Sequence, residues 1–404
     1  MARDPSIPVD EPPAYLDEVP PYGEDIHPSE EKPVDFRATA FQWRPTADIP
    51  KREWLYGKHL LRKFVSVDVA AGGVGKSSVK IVEALSMTTG RMLYAKELHE
   101  GPLNVWLYNL EDPLDETERR IHAAVKWFRI DPEEFVGRLY VDSGRDQRCV
   151  IAHETFDGAR IINPITEAII SEMKRRAIDV LIIDPFVSSH ELSENDNRAM
   201  DLVAKEWGRI ADVCNCSINL IHHIRKTNGE AATIDSARGA KALTDAARSV
   251  VVYNRMTKDE AETAGIPADQ VGFYFRAGSE KANLAPMEKA EWYRMNNVDL
   301  ENGDKVGVAS PWDWPDLFAG VTVSKTKEVQ RLVDAGDFRV DPRSPAWVGT
   351  IIATVLAMDP EEDAKRIAKI LRQWIQNKVL RVEEAMDEQR KMRKFIRVGE
   401  WITE

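Results

Sequence analysis

The run Ala70-Ala71-Gly72-Gly73-Val74-Gly75-Lys76-Ser77-Ser78 is built to hold a phosphate chain. It follows the apolar, strand-like segment Phe64 to Val69 and opens a helical pattern from Lys76 to Thr89. Successive backbone N–H groups in a Gly-rich turn, followed by a helix N-terminus, converge on anionic oxygens without needing side-chain charge. The candidate nucleotide contacts are therefore Gly72, Gly73, Val74, Gly75, Lys76, Ser77 and Ser78, with Lys76 reaching the β and γ phosphates and Ser77 ligating Mg²⁺. Without a ligand, Lys76 is expected to face solvent. Ala70 stands where the strict G-x-x-x-x-G-K-[ST] pattern has its first glycine, which leaves the first turn less free. The plain alternative is a glycine turn with a solvated lysine; a strand before it and a helix after it favour the nucleotide reading.

Hydrolysis needs more: a metal anchor, a group that orients water, and charge to stabilise the transferring phosphoryl group. Val180-Leu181-Ile182-Ile183-Asp184 reads as a buried strand ending in a carboxylate, which makes Asp184 the second Mg²⁺ anchor; the alternative is a helix-capping aspartate before Pro185. Val105 to Leu110 ends in Glu111-Asp112-Pro113, and Glu111 is the candidate general base. An acid favoured by a helix N-terminus is the other reading there, and it suits Asp112 better. A third apolar strand, Ser217 to Ile221, runs into His222-His223-Ile224-Arg225-Lys226, where one histidine could sense the γ-phosphate. Trp54 either borders a nucleobase or packs in the core.

Alternation of these strands with longer helical patterns, through Leu139 to Asp142 and Ser249 to Tyr253, predicts an α/β fold with a mostly parallel central sheet and its chemistry at the strand C-termini. After Gly272 the shorter runs Phe273 to Arg276 and Glu291 to Asn296 read as antiparallel additions at the sheet edge. The expected core spans 41–304, with the aromatic and basic stretch from Phe41 as a cover.

Ahead of it, residues 1–40 hold eight prolines before position 34 and few large aliphatic side chains, a composition that predicts a disordered tail. The net charge of −12 speaks against a polyanionic partner only superficially, because ten acidic and two basic side chains sit in the first 35 residues. The remainder is nearly balanced. Three cysteines, Cys149, Cys214 and Cys216, form no metal-ligand spacing, and no apolar run has transmembrane length, so a soluble cytoplasmic protein with reduced thiols is expected.

Residues 305–325, with Pro311, Trp312, Trp314 and Pro315, read as a linker, and 326–404 as a separate unit. In that unit Trp347 to Ala357 and Asp363 to Asn377 are amphipathic helices, followed by strands Val379 to Glu383 and Lys394 to Val398 around a charged turn. Two helices and a two-stranded wing predict a winged helix-turn-helix. Arg390, Lys391, Arg393, Lys394 and Arg397 place five positive charges in eight residues, suited to a nucleic-acid backbone or, alternatively, to a solvated hairpin or protein contact.

The phosphate loop, Glu111-Asp112-Pro113, Asp184, His222-His223 with Arg225-Lys226, the run Arg238 to Leu243, and Arg248 together resemble the RepA-like branch of the RecA-fold hexameric helicase ATPases of the AAA group, over roughly residues 50–300. The resemblance implies a P-loop NTPase core in which Lys76 and Ser77 bind phosphate and metal, Glu111 activates water, Asp184 is the Walker B acid and His223 is the sensor. It implies that Arg248 is an arginine finger supplied to the adjacent subunit, that Arg120 is a second arginine near that interface, and that Lys281 is a basic residue offered across it. The partners implied are ATP, single-stranded DNA in a ring pore contacted by Arg225 and Lys226, and five further copies of the chain, with no membrane. The expected activity is ATP-driven DNA translocation or unwinding in the replication of a plasmid, phage or other mobile element. An ATP-switched DNA-binding regulator without unwinding is the alternative.

Overall fold

The computed structural model describes residues 37–224, 231–233, 241–316, 318–387 and 390–402. Most of the expected tail, and the candidate DNA contacts Arg225 and Lys226, lie outside the described residues. The chain divides into Met1–Lys51 and Arg52–Glu404. In the first unit the described residues carry one short 3-10 turn, Thr46–Asp48, and an edge-to-face contact of Phe41 with Trp43.

The second unit begins with the antiparallel pair β1 (Trp54–Tyr56) and β2 (Leu60–Leu61). It continues as β3 (Val65–Ala71), α1 (Lys76–Thr89), β4 (Val105–Asn109), α2 (Leu114–Phe128) and β5 (Leu139–Ser143). A hairpin of β6 (Ala152–Thr155) and β7 (Gly158–Ile161) leads into α3 (Asn163–Arg175) and β8 (Val180–Asp184). Then come α4 (Asn197–Val213), β9 (Ser217–Ile224), α5 (Lys241–Ala246), β10 (Ser249–Arg255) and α6 (Lys258–Ala264). Strands β11 (Tyr274–Ala282), β12 (Glu291–Asp299) and β13 (Lys305–Pro311) complete the core.

Nine of these strands form one sheet in the order β13-β12-β11-β10-β3-β9-β8-β4-β5. From β10 to β5 every neighbour is parallel, while β11, β12 and β13 add antiparallel at the edge beyond β10. A parallel sheet needs both faces covered, which is why β8 reads as an almost continuous apolar run and β3, β8 and β9 are buried nearly throughout. The two faces carry separate cores, one around Trp207, Phe186 and Ile218 and the other around Leu85, Tyr56 and Val180.

Residues 305–311 are not linker. They form the outermost strand, with Val308 and Ala309 buried. Gly307 hides the strand's alternation in sequence, and an added Cβ there would lie 2.9 Å from Met295 Sδ, so that the methionine would have to shift.

Beyond the core stand α7 (Val323–Asp334), β14 (Phe338–Arg339), α8 (Val348–Leu356), α9 (Ala364–Gln376), β15 (Leu380–Met386) and β16 (Met392–Val398). The strands form a small antiparallel sheet, β14-β16-β15, around a core of its own that includes Val329, Ile352, Ile367, Trp374 and Ile396. Helix α7 and strand β14 go beyond the expected helices and hairpin. The buried side of α7 is partly polar, and Gln330 is satisfied there by donating to Val379 O at 3.0 Å and Glu400 O at 2.8 Å. No helix among the described residues is long and apolar enough to cross a membrane.

Candidate nucleotide site

The ends of β3, β9, β8 and β4 open on the same edge of the sheet, where a parallel α/β fold carries its ligands. The turn Gly72–Gly75 leaves β3 there and delivers Lys76 as the first residue of α1. Gly73 has φ 72° and Gly75 φ 115°, both in the left-handed region that side chains disfavour. An added Cβ on Gly75 would also fall 2.9 Å from Met295 Cε and 3.0 Å from the Phe275 ring.

The Lys76 ammonium is buried, not solvent-facing as expected; it donates to the carbonyls of Ala70 at 3.2 Å and Ala71 at 3.4 Å. Burial lowers its pKa to about 8, against the opposing pull of the Asp184, Asp68 and Glu111 carboxylates. The lysine thus folds back onto the strand it has just left.

Ser77 Oγ donates to Asp184 Oδ2 at 2.6 Å, so the two hydroxyl and carboxylate groups expected to hold Mg²⁺ meet directly. Asp184 caps no helix; its side chain is spent on the phosphate loop. Two hard oxygen donors brought together beside a buried ammonium fit a small divalent cation that keeps most of its waters. His223 pairs with Ala70 across the β3–β9 ladder, and its Nε2 lies 3.5 Å from Asp184 Oδ1. His222 points the other way along the strand, into the apolar core beside Phe186 and His190. Burial lowers the pKa of both His190 and His222 to about 4.

Glu111 is exposed just past β4. Asn109 fixes the turn by accepting from the backbone N–H groups of Glu111 and Asp112 at 3.0 and 2.8 Å, and Arg145 Nε donates to the Glu111 carbonyl at 2.7 Å. Its carboxylate contributes to the field on Lys76, which puts it at the same edge.

A cavity of about 650 Å³ lies over the loop. Besides Gly73 to Ser78 and His223 it is lined by Glu116, Arg119 and Arg120 of α2 and by Met295 and 304–307 of the antiparallel edge. Arg120 therefore borders its own chain's cavity, bonded to Asp112 at 2.8 Å and Glu116 at 3.0 Å. The β12–β13 wall was missed in the sequence. It has no signature of its own, being held by Arg119 to Asp304 at 3.0 Å and by Ser78 Oγ, which accepts from Ala309 N at 2.8 Å. Trp54 is not among the lining residues; it stands in β1, paired with Leu61.

Beneath the loop, α1 is fastened by buried charge. Lys80 Nζ reaches Asp68 at 2.5 Å and Glu83 at 2.6 Å, Lys96 reaches Glu83 at 2.6 Å, and His59 and Tyr253 bond the two Asp68 oxygens at 2.7 and 2.8 Å. Burial alone would raise Asp68, yet Lys80 and His59 hold its carboxyl well below the usual range. Removing one partner from such a set strands a buried charge, so the set fixes the direction of the helix.

Arg248 and Lys281 are elsewhere. Arg248 precedes β10, its backbone N–H donating to Val65 O at the start of β3, and its guanidinium lies 5.6 Å from the Phe64 ring centre. Lys281 Nζ donates to the carbonyls of Thr244 at 2.7 Å and Asp245 at 3.0 Å near the end of α5. Both stand at the sheet edge opposite the phosphate loop, separated from it by the length of β3, about 20 Å at the usual strand rise.

In the C-terminal unit the basic cluster is partly neutralised: Arg397 pairs with Asp337 at 2.7 Å, Arg393 with Asp387 at 3.4 Å and Lys394 with Glu384 at 3.8 Å. Arg390 and Lys391 sit at the tip of the β15–β16 hairpin, Arg390 with φ 58°. Among the loop acids after Asp184, Asp196 caps α4 by accepting from the N–H groups of Arg198 and Ala199, and Glu194 lies 3.7 Å from His222 Nδ1.

Residues 30–229 match the family model of an AAA domain. The match takes in the phosphate loop, Glu111, Asp184 and His223 and stops short of Arg248, Lys281 and the C-terminal unit. The family match, the mixed α/β sheet and the loop geometry agree with an AAA-type P-loop ATPase core.

Proposed function

We propose that this protein is a DNA translocase or helicase of the RepA-like, RecA-fold type, turning ATP and water into ADP and phosphate in a hexameric ring. The observation that carries the reading is the separation of charges within one chain. The phosphate loop, Ser77, Asp184, His223 and Glu111 share one edge of the sheet, while the exposed Arg248 and its neighbour Lys281 stand about 20 Å away at the other. A second copy docked edge to edge brings Arg248 to the first copy's phosphates.

In this mechanism Lys76 leaves the Ala70 and Ala71 carbonyls for the β and γ phosphates. Ser77 and Asp184 would hold Mg²⁺, which would supply charge neutralisation for the phosphates. Glu111 orients water toward the γ-phosphate, and His223, its Nε2 3.5 Å from Asp184, reports whether that phosphate is present. The neighbour's Arg248 stabilises the charge that develops on the transferring group, a contribution of roughly a thousandfold or more in P-loop enzymes. Arg120, tied to Asp112 and Glu116, and the neighbour's Lys281 serve the same seam.

The loops after β8 and β9 face the pore, where Arg225 and Lys226 contact single-stranded DNA. For the C-terminal unit the order α7, β14, α8, α9, β15, β16 supports a winged helix-turn-helix, with Arg390, Lys391, Arg393, Lys394 and Arg397 as its DNA face. Replication of a plasmid, phage or similar element in the cytoplasm suits such an engine. Forked-duplex unwinding with ATP tests the reading. A solitary chain that hydrolyses ATP at full rate, or duplex binding switched by ATP without strand separation, would replace it with the regulator.

A further inference from the structure

The C-terminal end of β10 holds a cation that the sequence reading passed over. Arg255 Nη2 donates to the carbonyl of Gly73 at 2.6 Å, across 182 residues of chain. The guanidinium is exposed and makes no ion pair among the described residues, so this carbonyl is what orients it. Its backbone is set on a rigid element: Arg255 is paired with Phe275 on β11, and Thr257 two residues on caps α6 with a reciprocal Glu260 bond. Asn254 beside it grips Ala232 through both backbone groups, accepting from N at 2.6 Å and donating to O at 2.9 Å.

We propose that Arg255 is a positioning residue for phosphate binding, acting through the Gly73–Val74 peptide; this rests on the nucleotide reading of the loop. That peptide is trans and planar, so its carbonyl and its N–H point in opposite directions. Gly73 and Val74 line the cavity and Arg255 does not. A guanidinium holding the Gly73 oxygen on the far side therefore turns the Val74 N–H toward the cavity, where a phosphate oxygen would receive it. Gly73 at φ 72° has little intrinsic preference for that orientation, and a glycine turn without the anchor samples others. Phe275 and Met295 support Gly75 from beneath, so the β10–β11–β12 edge holds the loop at two points.

The test compares full-length wild type, R255A and R255K for ADP binding by calorimetry, ATP turnover, and melting temperature without nucleotide. R255A is expected to weaken ADP binding and raise KM for ATP by about tenfold, the low end for a bond to a charged group because the side chain is exposed. Its kcat and its melting temperature should stay near wild type, and R255K, which still offers one donor to the carbonyl, should recover most of the affinity. If R255A melts lower than wild type, R255M keeps the aliphatic stem and takes its place. ADP affinity unchanged in R255A overturns the proposal, as does R255K binding as weakly as R255A, which would mean a fork of donors on the phosphate itself. Wild type that binds no ADP, alongside an equally silent K76A, would instead remove the nucleotide reading.

Discussion

The two ends of strands β3 and β10 differ in how their charges are employed. At the phosphate-loop end several polar groups have in-chain partners: Lys76 on two carbonyls, Ser77 on Asp184, Arg255 on Gly73. At the other end Arg248 is exposed, its guanidinium resting on a phenylalanine ring without a carboxylate partner among the described residues. Burying Lys76 beside carbonyls is costly, as its lowered pKa records, and an incoming polyanion relieves that cost. On the proposed function, one end takes a ligand and the other meets a second copy of the chain.

Breaking either end should stop turnover by different routes. R248A is expected to lower ATP turnover by about a thousandfold while leaving ADP affinity within about threefold, and mixing it with E111Q should restore partial activity. Recovery at no mixing ratio would confine each site to one chain. K76A should lose turnover by at least about a hundredfold together with nucleotide affinity. Because it also removes a buried cation, its melting temperature without nucleotide should equal or exceed that of wild type.

The loop's geometry gives a smaller effect. G75A forces a left-handed φ on alanine and a Cβ into Met295 and Phe275, for an expected loss of about 1–3 kcal/mol in thermal or urea unfolding. Wild-type stability with intact ADP binding would mean that the turn tolerates a different path.

Acid should act through two buried histidines, one in β9 and one in the loop before α4. His190 and His222 are depressed to about 4 in the folded chain against about 6.5 unfolded, so the unfolded state binds more protons between those values. Their contribution is therefore complete above pH 6.5 and lost as pH falls toward 4. A melting temperature measured over that range should drop steeply, and H222Q should drop less. The smallest effect belongs to the C-terminal hairpin, where K394A removes an exposed cation facing Glu384: stability should move by less than about 0.5 kcal/mol, and the salt slope of DNA binding by at most about one.

Much of the core was legible because its signals are local. A buried parallel strand must be apolar on both faces, so Val180 to Asp184 and Ser217 to Ile221 announced themselves, and the helix Lys76–Thr89 came out with its observed limits. The C-terminal helices α8 and α9 were readable from their 3.6-residue periodicity. Strand β13 was not, since a glycine interrupts its alternation and a proline closes it, and its partner β12 supplies the missing contacts. Helix α7 escaped because its buried side includes Gln330, whose satisfaction depends on Val379 and Glu400 far along the chain.

Residue order along single elements was enough to announce a Gly-rich turn between a strand and a helix and a carboxylate ending a buried strand, since steric and hydrogen-bonding demands of such a turn are satisfied within a dozen residues. Folding alone established where each group's partner lies. It turned Lys76 inward, set Ser77 on Asp184 across 107 residues, brought Arg255 to Gly73 and carried Arg248 to the opposite edge. Those outcomes follow from strand order and register, which bring sequence-distant positions together by pairing and packing that no local pattern encodes.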